Sequence, residues 1–345
     1  MFSSPTVVGN LLFVGSCSGN FYALDRQTGG IRWSYNIKKD GNQTSFHGDP
    51  LVTDNLILIG ADNGTQGHLY AFERESGKVR WKSLAPTRAE GNVGVASDIV
   101  RQGNRVYAVA QGHELLCLSL EDGSTRWTFA SHFDRQRNLI SNSPTLVANL
   151  VLLGGLDGLV YALQADSGQV VWKTDLHSRI TTTPIVSQES VYVGTQDGHF
   201  YQLQAKSGAI TRSLVITGFP DRHMTGTADS LLAVLIHPPQ TAGGSQFQPN
   251  DLDSIGLDLR RVNWLQKSSP TVVRNSWTSS RPYLWKDYVF VGDLGGKLFA
   301  FHKSDGSAAW SHQFASRVVR GIGFANDMFY VGMQGGMIYA VAPPF

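Results

Sequence analysis

A unit of four short apolar runs returns along almost the whole chain, and no other feature restricts the fold as strongly. Its clearest copy is Ser143–Lys173, SPTLVANLVLLGGLDGLVYALQADSGQVVWK. Three runs, Thr145–Ala148, Leu150–Gly154 and Leu159–Leu163, precede a fourth that ends in Trp172. The joins carry turn residues: Asn149, Asp157-Gly158 and Ser167-Gly168. Runs this short, separated by Gly, Asn and Asp, predict an antiparallel meander of strands A, B, C and D.

The other copies are more eroded. Blade 1 covers Pro5–Tyr35, blade 2 Pro50–Leu84, blade 3 Asp98–Phe129, blade 5 Pro184–Ile216 and blade 7 Pro282–Phe314. Blade 6 is worn: LLAVLIH, SIGLDL and RVNWLQK supply strands B, C and D around an insertion, Pro238–Leu252. Blade 8 begins at Gly321 with FYVG and MIYAV and has no D strand. In five copies a turn glycine (Gly29, Gly77, Gly123, Gly168, Gly306) is followed four residues later by Trp33, Trp81, Trp127, Trp172 or Trp310. Trp264 holds the same place in blade 6, and Arg212 replaces it in blade 5. Successive D-strand positions lie about 46 residues apart, the length of a four-stranded propeller blade. The expected fold is therefore all-β: one domain over residues 1–345, an eight-bladed β-propeller of four-stranded antiparallel blades, with blade 8 lacking its D strand. The six tryptophans are expected to dock each blade on its neighbour.

Composition narrows function mainly by exclusion. The formal charge is +2 over 345 residues, which favours neither acidic nor basic partners. No apolar run is long enough to span a bilayer, and MFSSPTVVGN lacks the pattern of a signal peptide. Cys17 and Cys117, the two cysteines, fall in different repeats and read as packing thiols rather than a disulfide. No nucleophile elbow, phosphate loop or metal-spaced histidine pattern occurs. His47, His113, His132, His177 and His223 fall in separate loops. No cofactor, metal or catalytic residue is expected.

The motif DGLVYALQADSGQVVW, together with the glycine-to-tryptophan spacing, resembles the repeat of the pyrroloquinoline-quinone (PQQ)-type β-propellers. That family includes PQQ-dependent alcohol and glucose dehydrogenases, the lipoprotein scaffold of the outer-membrane β-barrel assembly machine, and sensor domains attached to bacterial kinases. The dehydrogenases' vicinal Cys-Cys pair has no counterpart here, so a degenerate dehydrogenase is a remote alternative. The scaffold lipoprotein also ends its last blade at strand C, and a segment near its N-terminus supplies the missing strand. Either blade 8 is three-stranded with an exposed edge, or residues upstream of this sequence complete it; an open edge is a liability, so the second is expected, in a bacterial, extracytoplasmic protein whose export signal lies outside this sequence. The resemblance implies a non-catalytic scaffold that binds a protein partner. A ligand-sensing domain of a membrane receptor or kinase is the alternative.

Alternating strands put the D-to-A connections and B-to-C turns on one face. The D-to-A connections are long, and long loops on a rigid scaffold are the usual place for binding. They hold twelve Lys/Arg and six acids. Arg135, Arg137, Arg179, Arg222, Arg274, Arg317 and Arg320, with His223, are the candidate residues for a protein partner or a small anion, drawn by an electropositive mouth. The plainer expectation is that such arginines pair with acids of the B-to-C turns, among them Asp157 and Asp197. The loops lack interleaved aromatics, so nucleic acid is not an expected partner. In the scaffold lipoprotein, partner-binding loops carry Leu-x-Leu-Arg-Gly and Asp-x-Asp-Thr-Thr-Pro. The matching places here are RQRNLISNSP and SRITTTP, where Arg179 and Thr181 replace the two acids.

Overall fold

The computed structural model describes residues 3–16, 18–40, 45–62, 67–84, 94–95, 97–110, 114–130, 142–180, 182–215, 219–226, 231–236, 252–258, 261–266, 282–292, 296–305, 307–316, 318–333 and 336–342. Within strands, residues 62, 84, 214–215, 219–266 and 319–321 are described by backbone alone. The described chain forms seven sheets of four strands and one of three, each pairing consecutive strands in order. All pairings are antiparallel. One short 3-10 helix, Ile37–Asp40, interrupts the first D-to-A connection.

Sheet 4 shows the pattern: Thr145–Val147, Leu150–Gly154, Leu159–Gln164 and Val170–Asp175. Its two middle strands are buried almost throughout, whereas the D strand alternates with solvent. Middle strands covered on both faces read as continuous apolar runs, which is why LVLLG and LVYAL stand out in the sequence. The sheets add two strands that carry no such run: Val100–Gln102 in sheet 3 and Phe219–Gly226 in sheet 6. The C strand of sheet 6 starts at Leu252, the last residue of the expected insertion. Sheet 8 consists of Val318–Ala325, Met328–Met333 and Ile338–Val341, so it begins three residues before the expected Gly321.

The core lies between sheets, not within them. Phe13, Phe21 and Ala23 of sheet 1 interdigitate with Ile57, Ile59, Tyr70 and Phe72 of sheet 2. Comparable clusters join sheets 2 and 3, 3 and 4, 4 and 5, and 7 and 8. The last sheet meets the first: Val318–Ala325 lies against Thr6–Val8. Their shared cluster buries only Leu12, Val14 and Tyr330 fully among the described residues, against ten residues between sheets 1 and 2.

Four consecutive seams, from sheets 1 and 2 to sheets 4 and 5, also have a polar clasp at the D strand. Trp33 Nε1 donates to the Arg74 carbonyl (2.9 Å), Trp81 to Leu120 (2.9 Å), Trp127 to Ala165 (3.1 Å) and Trp172 to Ala205 (3.0 Å). The same indoles cover the C-to-D turn glycine of the next sheet. A methyl group on Gly77 would stand 2.5 Å from the Trp33 ring, and one on Gly168 2.6 Å from Trp127. These glycines are also left-handed (φ 68° and 72°), a conformation that costs other residues energy. The D strand carries a register shift just before the tryptophan position in all seven four-stranded sheets. That bulge sets the tryptophan against the neighbouring turn. The side chain of Trp264 lies outside the described residues.

A second set of bonds runs along the inner strands. The Ser4 amide donates to the Asp49 carboxylate (2.6 Å), Asp49 to Asp98 (3.1 Å), Asp98 to the Ser143 hydroxyl (2.9 Å), and Ser143 to the Thr183 hydroxyl (3.1 Å). Five consecutive sheets are thereby linked by one repeated contact, always from an amide to the side-chain oxygen of the following sheet.

On the opposite face, Asp25 organises the C-to-D turn of sheet 1. Its carboxylate accepts from the Gln27 and Thr28 amides (both 3.0 Å), the Thr28 hydroxyl (3.0 Å), Asn10 (2.9 Å) and Arg32 (2.7 Å). The Thr28 amide first, then the Arg32 guanidinium, hold this carboxyl well below its ordinary value of 3.8. A depressed carboxyl stabilises the fold above the unfolded value, and the contribution is lost as pH falls toward the folded one. The stability difference between the parent and Asp25→Asn should therefore be full at neutral pH and shrink below about pH 4. Thermal unfolding at stepped pH measures it; a difference that is flat with pH overturns the assignment.

Candidate functional site

The eight candidate binding residues fare differently. Arg135, Arg137, Arg274 and Arg317 lie outside the described residues. Arg222 and His223 fall in the Phe219–Gly226 strand and Arg320 in Val318–Ala325, with backbone alone described. Arg179 has a described side chain, and it lines a sizeable cleft. The cleft holds about 540 Å³ between sheets 4 and 5. Leu156, Asp157, His177, Ser178, Gln196 and Asp197 share it with Arg179.

Two B-to-C turns and one D-to-A loop build this site. In the first turn the Leu159 amide donates to Asp157 Oδ1 (3.1 Å) and the Tyr161 hydroxyl to Asp157 Oδ2 (2.6 Å). Burial, and then the hydrogen bond to Asp157, push the Tyr161 phenol well above its usual range, so it remains a donor. In the second turn Thr195 Oγ1 donates to Asp197 Oδ1 (2.5 Å), with His199 Nδ1 3.2 Å away. Burial raises the Asp197 carboxyl, but the hydroxyls of Thr195 and Ser178 and the nearby His199 ring outweigh it and hold the carboxyl below its usual range. Asp197 is therefore ionised at neutral pH.

The loop is pinned at both ends. The Leu176 amide donates to Gly158 (2.9 Å) and the Ile180 amide to Gly155 (3.1 Å). The Arg179 carbonyl accepts from Gln196 (2.8 Å). Gly158 is left-handed (φ 86°), and a side chain there would press within 3.2 Å of the Ser178 backbone. His177 takes a left-handed φ of 57°, held by its amide bonding Asp175 (2.7 Å). A fixed backbone thus presents a half-buried guanidinium between two turns that each carry a carboxylate. No carboxylate among the described residues comes within 4.0 Å of it. The cleft has mixed charge, with Asp157 and Asp197 around Arg179, rather than a single positive field. Such a site suits a partner that offers both donors and an anionic group.

The remaining chemistry is structural. Burial pushes the Cys117 thiol up to about 11. Cys17 lies outside the described residues. Among the described residues no cluster of His, Cys, Asp and Glu could hold a metal ion. No described helix is long and apolar enough to cross a membrane.

Meander sheets joined by indole-on-glycine docking define a β-propeller of PQQ-type repeats. The chain belongs to the PQQ_2 family, described as outer membrane protein assembly factor BamB, whose profile matches residues 2–213, 140–236 and 253–343. It is 25% identical over 191 residues to the outer membrane protein assembly factor BamB of Legionella pneumophila (strain Paris), covering 54% of this chain and 46% of that protein. The Escherichia coli (strain K12) BamB is 24% identical over 192 residues, 54% of this chain and 45% of the relative. The chain thus spans about half the length of these curated relatives. The solved structure of BamB from Moraxella catarrhalis superposes with a TM-score of 0.76 at 17% identity, covering 98% of this chain and 95% of that one. The quinohemoprotein alcohol dehydrogenase of Comamonas testosteroni gives 0.77 at 13% identity, over 96% of this chain and 70% of that one, a likeness of fold alone.

Proposed function

We propose that this chain is a non-catalytic scaffold in outer-membrane protein assembly. It would engage a protein partner through its D-to-A loop face. The observation that carries this is the cleft at Arg179, whose backbone is pinned by turns of two sheets on the face where the connections are long. Membership of the BamB family supports the process, and the relatives' names support an extracytoplasmic, outer-membrane-associated place in a bacterium. The reading takes residues 1–345 as a single domain of eight blades, consistent with seven four-stranded sheets and one three-stranded sheet. Arg135, Arg137, Arg222, His223, Arg274, Arg317 and Arg320 belong to the same reading by their places in the D-to-A connections of the sequence.

The test is recovery of tagged protein from envelope extracts of its source cell, with outer-membrane assembly components quantified by mass spectrometry. The parent is expected to retain such components, and Arg179→Glu to lose at least about tenfold, the size of one interface hot spot. Equal recovery with the parent and the variant would remove Arg179 from the interface. Failure of the parent to retain any assembly component would refute the function.

A further inference from the structure

The outer rim has a charge balance of its own. The D strands of sheets 1 to 5, Ile31–Asn36, Val79–Leu84, Thr125–Ala130, Val170–Asp175 and Ile210–Val215, hold six cations and one acid. The whole chain holds 29 Lys/Arg and 27 Asp/Glu, so the remainder is net negative. Arg32, Arg80, Lys82, Arg126, Lys173 and Arg212 are all exposed. Cations on an edge strand discourage pairing with other chains. Exposed aliphatics do not, yet the same strands carry Ile31, Val170, Val171 and Ile210, four of the six exposed large hydrophobics among the described residues.

The two features coincide on sheets 4 and 5. Val170, Val171 and Ile210 are 45%, 51% and 46% exposed. The Trp172 ring covers Gly208, and Thr174 Oγ1 donates to the Gly208 carbonyl (2.7 Å). These contacts set the start of Ile210–Val215 against the middle of Val170–Asp175. Lys173, Arg212 and, in the turn between them and Ile210, Lys206 are exposed, and none has a carboxylate within 4.0 Å among the described residues. The neighbouring acids are engaged, Asp166 with Arg105 (3.0 Å) and Asp175 with the His177 amide (2.7 Å). Sheet 5 also breaks the docking pattern. The other six D strands set a tryptophan opposite a small residue of the C strand, whereas Arg212 stands opposite Gln202. An exposed cation thus replaces an indole at this one place.

We propose that the rim over sheets 4 and 5 lies on a lipid surface rich in anionic headgroups. Val170, Val171 and Ile210 enter the boundary between headgroups and acyl chains, and Lys173, Lys206 and Arg212 meet lipid phosphates. A headgroup layer offers many anions without fixed geometry, which matches long flexible cations spread around aliphatic side chains. Nucleic acid fits less well, because none of the exposed large hydrophobics is aromatic and bases would find no ring to stack on. The surface is independent of the cleft at Arg179 and of any protein partner.

Flotation of the 345-residue chain with lipid vesicles tests this. Vesicles of phosphatidylcholine with about a third phosphatidylglycerol should carry the protein, and phosphatidylcholine alone should not. The triple variant Lys173→Gln, Lys206→Gln, Arg212→Gln should lower the partition coefficient about a hundredfold, the attraction of one surface cation taken three times. Val170→Ser, Val171→Ser, Ile210→Ser should lower it at least about tenfold with the charge unchanged. Lys78→Gln, Arg80→Gln, Arg126→Gln removes the same charge from sheets 2 and 3 and should change it less than about threefold, since screening confines the attraction to the nearest cations. Equal losses from the two charge variants overturn the assignment to sheets 4 and 5. Capture by a single-stranded oligonucleotide but not by vesicles overturns the proposal, and so does binding to neither, which would leave the cations as edge protection alone.

Discussion

Trp172→Ala is expected to cost about 3–5 kcal/mol of stability, the range for deleting a buried large aromatic. Its indole is 9% exposed and closes the seam between sheets 4 and 5. Truncation removes the ring from Leu203, Ala205 and Val191, uncovers Gly208, and leaves the Ala205 carbonyl without its 3.0 Å donor. Trp172→Phe should recover much of the packing but not the hydrogen bond, and fall about 1–2 kcal/mol short of the parent. Urea titration followed by circular dichroism measures both. A cost below about 1 kcal/mol for the alanine variant would show that this indole does not hold the seam.

Gly168→Val should be as damaging, through the opposite partner of the same kind of contact. A β-branched side chain at φ 72° is strained, and its first carbon would stand 2.6 Å from the Trp127 ring. Roughly 3 kcal/mol or more is expected, the upper part of the range for single substitutions. The cost divides into backbone strain and collision, and two comparisons separate them. In a Trp127→Ala background the collision has no partner, so the double variant should be more stable than the summed single costs predict, by about 1–3 kcal/mol. Gly29→Val suffers the same backbone strain (φ 70°) with nothing described within 4 Å of its first side-chain carbon, and should be the milder change. Strict additivity, together with equal costs at Gly29 and Gly168, would rule out the ring contact as the cause.

The strands were readable because their signal is local. LVLLG and LVYAL declare middle strands covered on both faces, and the spacing from Gly168 to Trp172 declares a tight turn followed by an inward aromatic. What stayed hidden is formed between repeats. Val100–Gln102 is three partly exposed residues, and Phe219–Gly226 reads FPDRHMTG, with proline and charge where a run would be sought. Their pairing comes from the neighbouring strand, not from their own pattern. Ser4, Asp49, Asp98, Ser143 and Thr183 do one job with three residue types, so no motif marks them. At the cleft, loop position singled out Arg179, and the repeated Asp-Gly turns placed Asp157 and Asp197 on the same face. The distance that keeps the guanidinium and carboxylates from pairing arises only when sheets 4 and 5 are side by side.

The amide-to-side-chain contacts from Ser4 to Thr183 all point in the same rotational direction. Over sheets 1 to 5 they form an arc of a hoop, with the outer D strands as spokes' ends held mainly by their own seams. A hoop shares load. Tension on one D-to-A loop should reach Asp98, Ser143 and Thr183 in series, and so spread over several sheets before it parts any one of them. Sheets 1 to 5 should then resist separation together, and yielding is expected first at the seam between sheets 8 and 1, whose buried cluster is the smallest among the described residues.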